Sequence, residues 1–96
     1  MTATHVQPGD LSLQDDVVLI FNSIHRVLRA EKVFKTAPFP FKMQPTPRPL
    51  VSDCGLSILL QAEHLGEALR TLADHRIQLV QAWRLGAEDC AAIALS

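Results

Sequence analysis

Five consecutive apolar residues, Val17-Val18-Leu19-Ile20-Phe21, run directly into Asn22-Ser23, and no other segment constrains the fold as much. A run this short and rich in β-branched side chains reads as a buried central strand. Asn and Ser are both good helix N-caps, so a strand-to-helix junction is expected at residues 21–23. From Ile24 to Lys35 the apolar residues Ile24, Val27, Leu28 and Phe34 recur with a 3.6-residue period. They are expected to face the core, with His25, Arg29 and Lys32 opposite and Glu31 inside the apolar arc. Pro38 and Pro40 end the helix.

The rest of the chain punctuates itself. Phe41-Lys42-Met43-Gln44 alternates as an edge or half-buried strand does, and flanking prolines favour an edge. Pro45-Thr46-Pro47-Arg48-Pro49 predicts a stiff extended loop. Gly55–Leu60 reads as a second buried strand. Ala62–His75 reads as a helix with Leu65, Ala68, Leu69 and Leu72 on one face. Ile77–Trp83 alternates as a last strand. The order β-α-β-β-α-β predicts an α+β fold, the ferredoxin-like split βαβ arrangement. Its four-stranded antiparallel sheet has spatial order 4-1-3-2, and both helices lie on one face. Residues 1–14 are expected to be a flexible leader, 15–85 the single domain and 86–96 a C-terminal tail. The competing arrangement is an open α+β sandwich in which the tail adds another element.

Composition removes several function classes. The chain has 96 residues, which suits one core but no enclosed active site with its own lid. No apolar run reaches the ~18–20 residues that span a bilayer. The N-terminus has neither the basic nor the apolar region of a secretory signal. With two cysteines, Cys54 and Cys90, a disulfide scaffold is excluded, and a cytoplasmic location with reduced thiols is expected. His25, His64, His75 and the cysteines lack metal-ligand spacing, so neither metal nor cofactor is expected. The net charge of −1 hides a basic block. Residues 22–50 carry Arg26, Arg29, Lys32, Lys35, Lys42 and Arg48 against Glu31 alone. Without tyrosine or interleaved aromatics, that block points to an anionic ligand or acidic partner rather than nucleic acid.

Connectivity alone brings Cys54 near Asn22-Ser23-Ile24-His25, because the loop before the third strand shares a sheet end with the start of the first helix. A helix N-terminus offers unpaired N–H groups and partial positive charge, and a thiol placed at one ionises more readily. Ser23 and Ile24 would supply that terminus, His25 and Arg48 added positive charge, and Gly55 access to the sulfur. Asp53, beside the thiol, would oppose ionisation.

Two motifs then carry a resemblance: Ser23-x-His25 followed by Ala30-Glu31-Lys32, and Pro47-Arg48-x-Leu50-x-Ser52-x-Cys54-Gly55. Over residues 17–83 the chain resembles a small bacterial family, formerly of unknown function, described as selenium/sulfur carrier protein-like. The resemblance implies a cysteine, here Cys54, that holds sulfur or selenium. Val27, Val51 and Asp53 depart from the family's pattern.

The carrier reading makes Cys54 a nucleophile that takes the atom from a desulfurase-type donor as a persulfide or selenopersulfide and gives it to an acceptor enzyme. Such a protein is a stoichiometric partner, with Arg26, Arg29 and Pro47 in docking. The alternative is a non-catalytic binding or regulatory module that docks an anion or a protein through the basic helix and proline loop. An open edge strand would permit a homodimer by strand addition. A thiol oxidoreductase would require the tail to fold back and bring Cys90 to Cys54.

Overall fold

The computed structural model describes residues 5–6, 11–37, 39–48, 50, 54–86 and 90–94. In chain order the elements are β1 (His5–Val6), β2 (Asp16–Ile20), α1 (Ile24–Phe34), β3 (Lys42–Pro45), β4 (Leu56–Gln61), a 3₁₀ turn (Ala62–His64), α2 (Leu65–Asp74), β5 (Gln81–Leu85) and β6 (Cys90–Ile93). The fold is α+β, and no helix of the described residues is long and apolar enough to cross a membrane.

One sheet runs β1-β6-β5-β2-β4-β3. Strands β2 to β6 pair antiparallel, and β1 joins β6 in parallel. The expected sheet had four strands; this one has six. His5–Val6 and Cys90–Ile93, assigned from sequence to leader and tail, supply the other two. Leu11–Gln14 is also tied down. The Ala62 and Glu63 amides donate to the carbonyls of Asp15 (2.8 Å) and Leu13 (3.0 Å), and Leu11 packs on the core. Strand β2 is central, between β4 and β5, as its apolar run requires, and β3 lies at an edge.

Alternation along β2 divides the interior. Val17, Leu19 and Phe21 join Ile58, Leu60, Ala82 and Ile93 beneath Val27, Ala30 and Phe34 of α1 and Leu65, Ala68 and Leu72 of α2. Val18 and Ile20 fall on the opposite face, where Ser57 is also buried. The rings of Phe39 and Phe41 meet that of Phe34 edge-on at 5.3 and 5.6 Å and seal the C-terminal end of α1.

Helix α1 begins where the cap predicts: the Ser23 hydroxyl accepts from the Arg26 amide at 3.2 Å. Its buried stripe matches the expected one in part: Val27 and Phe34 are buried as expected, Ile24 and Leu28 are not. Val27, Ala30 and Phe34 face the core, whereas Ile24 is 38% and Leu28 45% exposed. Ala30, which is small, lets the helix lie close to the sheet, and the buried face rotates toward it. Helix α2 closes with a Schellman motif. Arg76, at φ 57, takes the left-handed position, and the amides of Arg76 and Ile77 bond the carbonyls of Ala73 and Leu72. Ile77 is thereby used in the cap. Strand β5, expected at Ile77–Trp83, accordingly starts at Gln81, opposite Ile20.

Candidate functional site

The β3–β4 hairpin carries the site. Its last strand pair is Pro45 with Leu56, and the Thr46 amide then donates to the Gly55 carbonyl at 3.0 Å. Cys54 sits immediately beyond that rung. Gly55 has φ +75, a conformation that L side chains resist, so the chain can reverse there. An added Cβ would meet nothing within 4 Å. The glycine is therefore required by the backbone rather than by crowding.

The thiol is half-buried and packs against the core. It donates to the carbonyl of Leu56 at 3.3 Å and lies 3.7 Å from that of Phe21. Phe21 leads into the N-cap of α1, so the sulfur and the start of α1 occupy one end of the sheet, as connectivity requires. Among the described residues, the sulfur's hydrogen-bond partners are carbonyl oxygens and not N–H groups. A helix leaves its first amides unused internally. Here the Ser23 hydroxyl takes that of Arg26 and the Ser23 carbonyl that of Val27, leaving those of Ile24 and His25 at this end.

The charged candidates spread out. His25 and Arg48 are exposed, and neither side chain makes a hydrogen bond or ion pair with a described residue. Arg26 is held by Asn22, whose Oδ1 accepts from its guanidinium at 2.7 Å. Arg29 donates to the His75 carbonyl at 3.0 Å and so staples α1 to the end of α2. Pro47 opens a turn closed by the Leu50 amide on its carbonyl at 2.9 Å, with Arg48 inside it. Val51, Ser52 and Asp53 lie outside the described residues, and with them the expected influence of Asp53 on the thiol.

Cys90 lies elsewhere. It pairs with Leu85, which pairs with Asp16 at the far end of β2. Strand rise and spacing put the two sulfurs on the order of 20 Å apart. A disulfide needs Cα atoms within about 7 Å, so the fold overturns the idea that the tail brings Cys90 to resolve Cys54. A cleft of about 250 Å³, lined by Asp16, Pro40, Phe41, Lys42, Leu59, Leu60 and Gln61, also lies at that far end. Cys54 is not among the residues that line this cleft. Among the described residues no cluster of three His, Cys, Asp or Glu could hold a metal ion.

The sulfur's own partners were invisible in the sequence, because backbone carbonyls carry no side-chain signature. The topology argument pointed to Asn22-Ser23-Ile24-His25, the segment that directly follows Phe21.

No curated protein and no solved structure matches the chain. Residues 16–84, from the first residue of β2 into β5 and including Cys54, match the model of the family described as "Putative Se/S carrier protein-like". With more than two-thirds of its length inside that match, the chain belongs to the Se/S carrier protein-like family.

Proposed function

We propose that the protein carries a sulfur or selenium atom on Cys54 as a persulfide or selenopersulfide and delivers it to an acceptor enzyme. The observation that carries this reading is the placement of Cys54: a half-buried thiol at one end of the sheet, next to the start of α1 and followed by a glycine at which a Cβ would meet nothing within 4 Å. A carrier needs a sulfur that two partners can reach in turn, and it needs no enclosed pocket. The fold reads as a ferredoxin-like split βαβ unit, β2-α1-β3-β4-α2-β5, with β1 and β6 added at one edge. Ser23, Ile24 and His25 would provide the helix end that steadies a sulfur anion, with Arg48 on the neighbouring turn. The protein would work in the cytoplasm, where thiols stay reduced.

The loading step conserves atoms and electrons. The Cys54 thiol, as thiolate, attacks the outer sulfur of a donor persulfide, R–S–SH. A new S–S bond forms on Cys54 as the donor's S–S bond breaks, and R–SH leaves with the proton. Delivery repeats the exchange on an acceptor thiol.

The test is incubation of the protein with glutathione persulfide followed by intact-mass and peptide mass spectrometry. The expected result is one added sulfur on Cys54, absent from Cys54→Ser and retained in Arg29→Ala. If Cys54 gains no sulfur while remaining alkylatable, the carrier reading fails, and a binding module using the basic helix takes its place.

A further inference from the structure

Strand β3 lies at one edge of the sheet, with β4 as its one neighbour. The phase of their ladder fixes which backbone groups of β3 face outward. The Thr46 amide bonds the Gly55 carbonyl in the same register that pairs Lys42 with Leu59 and Gln44 with Ser57. Hydrogen-bonded pairs recur at every second residue of an antiparallel ladder, so Lys42, Gln44 and Thr46 bond inward to β4. Planar trans peptides then turn the Met43 N–H and the carbonyls of Phe41, Met43 and Pro45 outward. Pro45 stands where a missing N–H costs β4 nothing. Among the described residues, Phe41, Met43 and Pro45 have no hydrogen-bond partner on that outer side. The side chains sort by face. Phe41 and Met43 are half-buried on the core side, and Pro45 shares their side by alternation. Lys42 and Gln44 lie on the opposite side.

We propose that β3 pairs antiparallel with β3 of a second copy of this chain, with Met43 on the two-fold axis. The Met43 amide of each copy donates to the Met43 carbonyl of the other. On either side, the Phe41 amide of one copy reaches the Pro45 carbonyl of the other. The occupant is a second copy because the edge is symmetric about Met43. Its apolar positions, Phe41 and Pro45, stand two residues to each side, so the Phe41 ring of one copy meets the Pro45 ring of the other. On the opposite face Lys42 meets Gln44, and no like charges stand directly across. Lysine and proline are residue types that blunt edges. Here Pro45 offers outward the carbonyl that this ladder uses, and Lys42 faces an uncharged amide. A net charge of −1 adds little repulsion between copies. Prolines at 40, 45 and 47 leave no room for a longer ladder, which an unlike strand would need to gain more than this one does. The two-fold closes the assembly and consumes the edge. Strand rise and spacing then put the two Cys54 sulfurs on the order of 30 Å apart, at opposite ends of the joined sheet, so each is reached independently. The inference stands apart from the carrier reading, which loading of Cys54 tests by itself.

The test is sedimentation equilibrium of the full chain between about 5 and about 500 µM, where transient interfaces dissociate. Wild type is expected to pass from monomer to dimer in that range. Met43→Pro removes the donor on the axis without removing a rung to β4, and dimer affinity is expected to fall about tenfold or more. Pro45→Ala restores an outward donor opposite the Phe41 carbonyl of the second copy, and affinity is expected to rise about threefold or more. Circular dichroism confirms that each variant is folded. Register is read separately with Lys42→Cys and Gln44→Cys together in a chain carrying Cys54→Ser and Cys90→Ser. The two positions oppose each other across the axis at a separation a disulfide can bridge, so mild oxidation is expected to give a covalent dimer. A wild type that stays monomeric throughout the range overturns the proposal. So does a dimer that Pro45→Ala fails to tighten, or a dimer that the paired cysteines fail to link.

Discussion

Replacing Gly55 by alanine isolates the backbone demand at the site from every steric one. The residue holds φ +75, and a Cβ there would touch nothing within 4 Å. No clash contributes, so the change consists of two conformational effects. Holding an L residue at positive φ costs about 1–2 kcal/mol. The narrower unfolded ensemble of alanine offsets about 0.4–1 kcal/mol of that. The net expected loss is about 1 kcal/mol, or about 4–8 °C in Tm for a domain of this size. Gly55→Asn should lose less than alanine, because asparagine tolerates the left-handed region. Urea unfolding followed by the fluorescence of Trp83, the single tryptophan, and by circular dichroism measures both. A neutral or stabilising Gly55→Ala refutes the argument, and so does an asparagine variant that costs more than the alanine one.

Two further outcomes follow from the core. Phe34, 1% exposed and met by two other rings, should cost about 3–5 kcal/mol on replacement by alanine, and a loss below 1 kcal/mol in urea unfolding would mean that the aromatic cluster does not seal α1. Ser57 is fully buried and its hydroxyl has no partner among the described residues, so Ser57→Ala should stabilise the fold by about 1 kcal/mol. A measured loss of stability there would show that the hydroxyl is satisfied in solution.

The parts of the fold legible in the sequence are those governed by local chemistry. The run Val17–Phe21 marked the central strand, the Ser23 cap marked the start of α1, and the prolines around Phe41–Gln44 marked an edge. What escaped depends on distant partners. His5–Val6 is a strand because β6 lies beside it, and β6 is a strand because β5 does. The core face of α1 turned on Ala30, whose small side chain contributes little to a hydropathy pattern yet sets how close the helix sits. Ile77 reads as a strand residue by alternation but is used in the Schellman cap, whose left-handed position is filled by Arg76 where glycine would have signalled it. At the site, strand order placed Cys54 beside the start of α1, while the reach of His25 and Arg48 depended on side-chain directions that spacing does not encode.

The distance between the two thiols gives the molecule an internal reference. Cys54 and Cys90 are both half-buried, yet one stands beside the start of α1 and the other in β6 at the opposite sheet end. Any electrophile or oxidant in solution meets both sulfurs at the same concentration, temperature and acidity. The ratio of label on the two therefore cancels those variables within each molecule. What remains in that ratio is the chemistry of place, the difference the surrounding chain makes to one sulfur and not to the other.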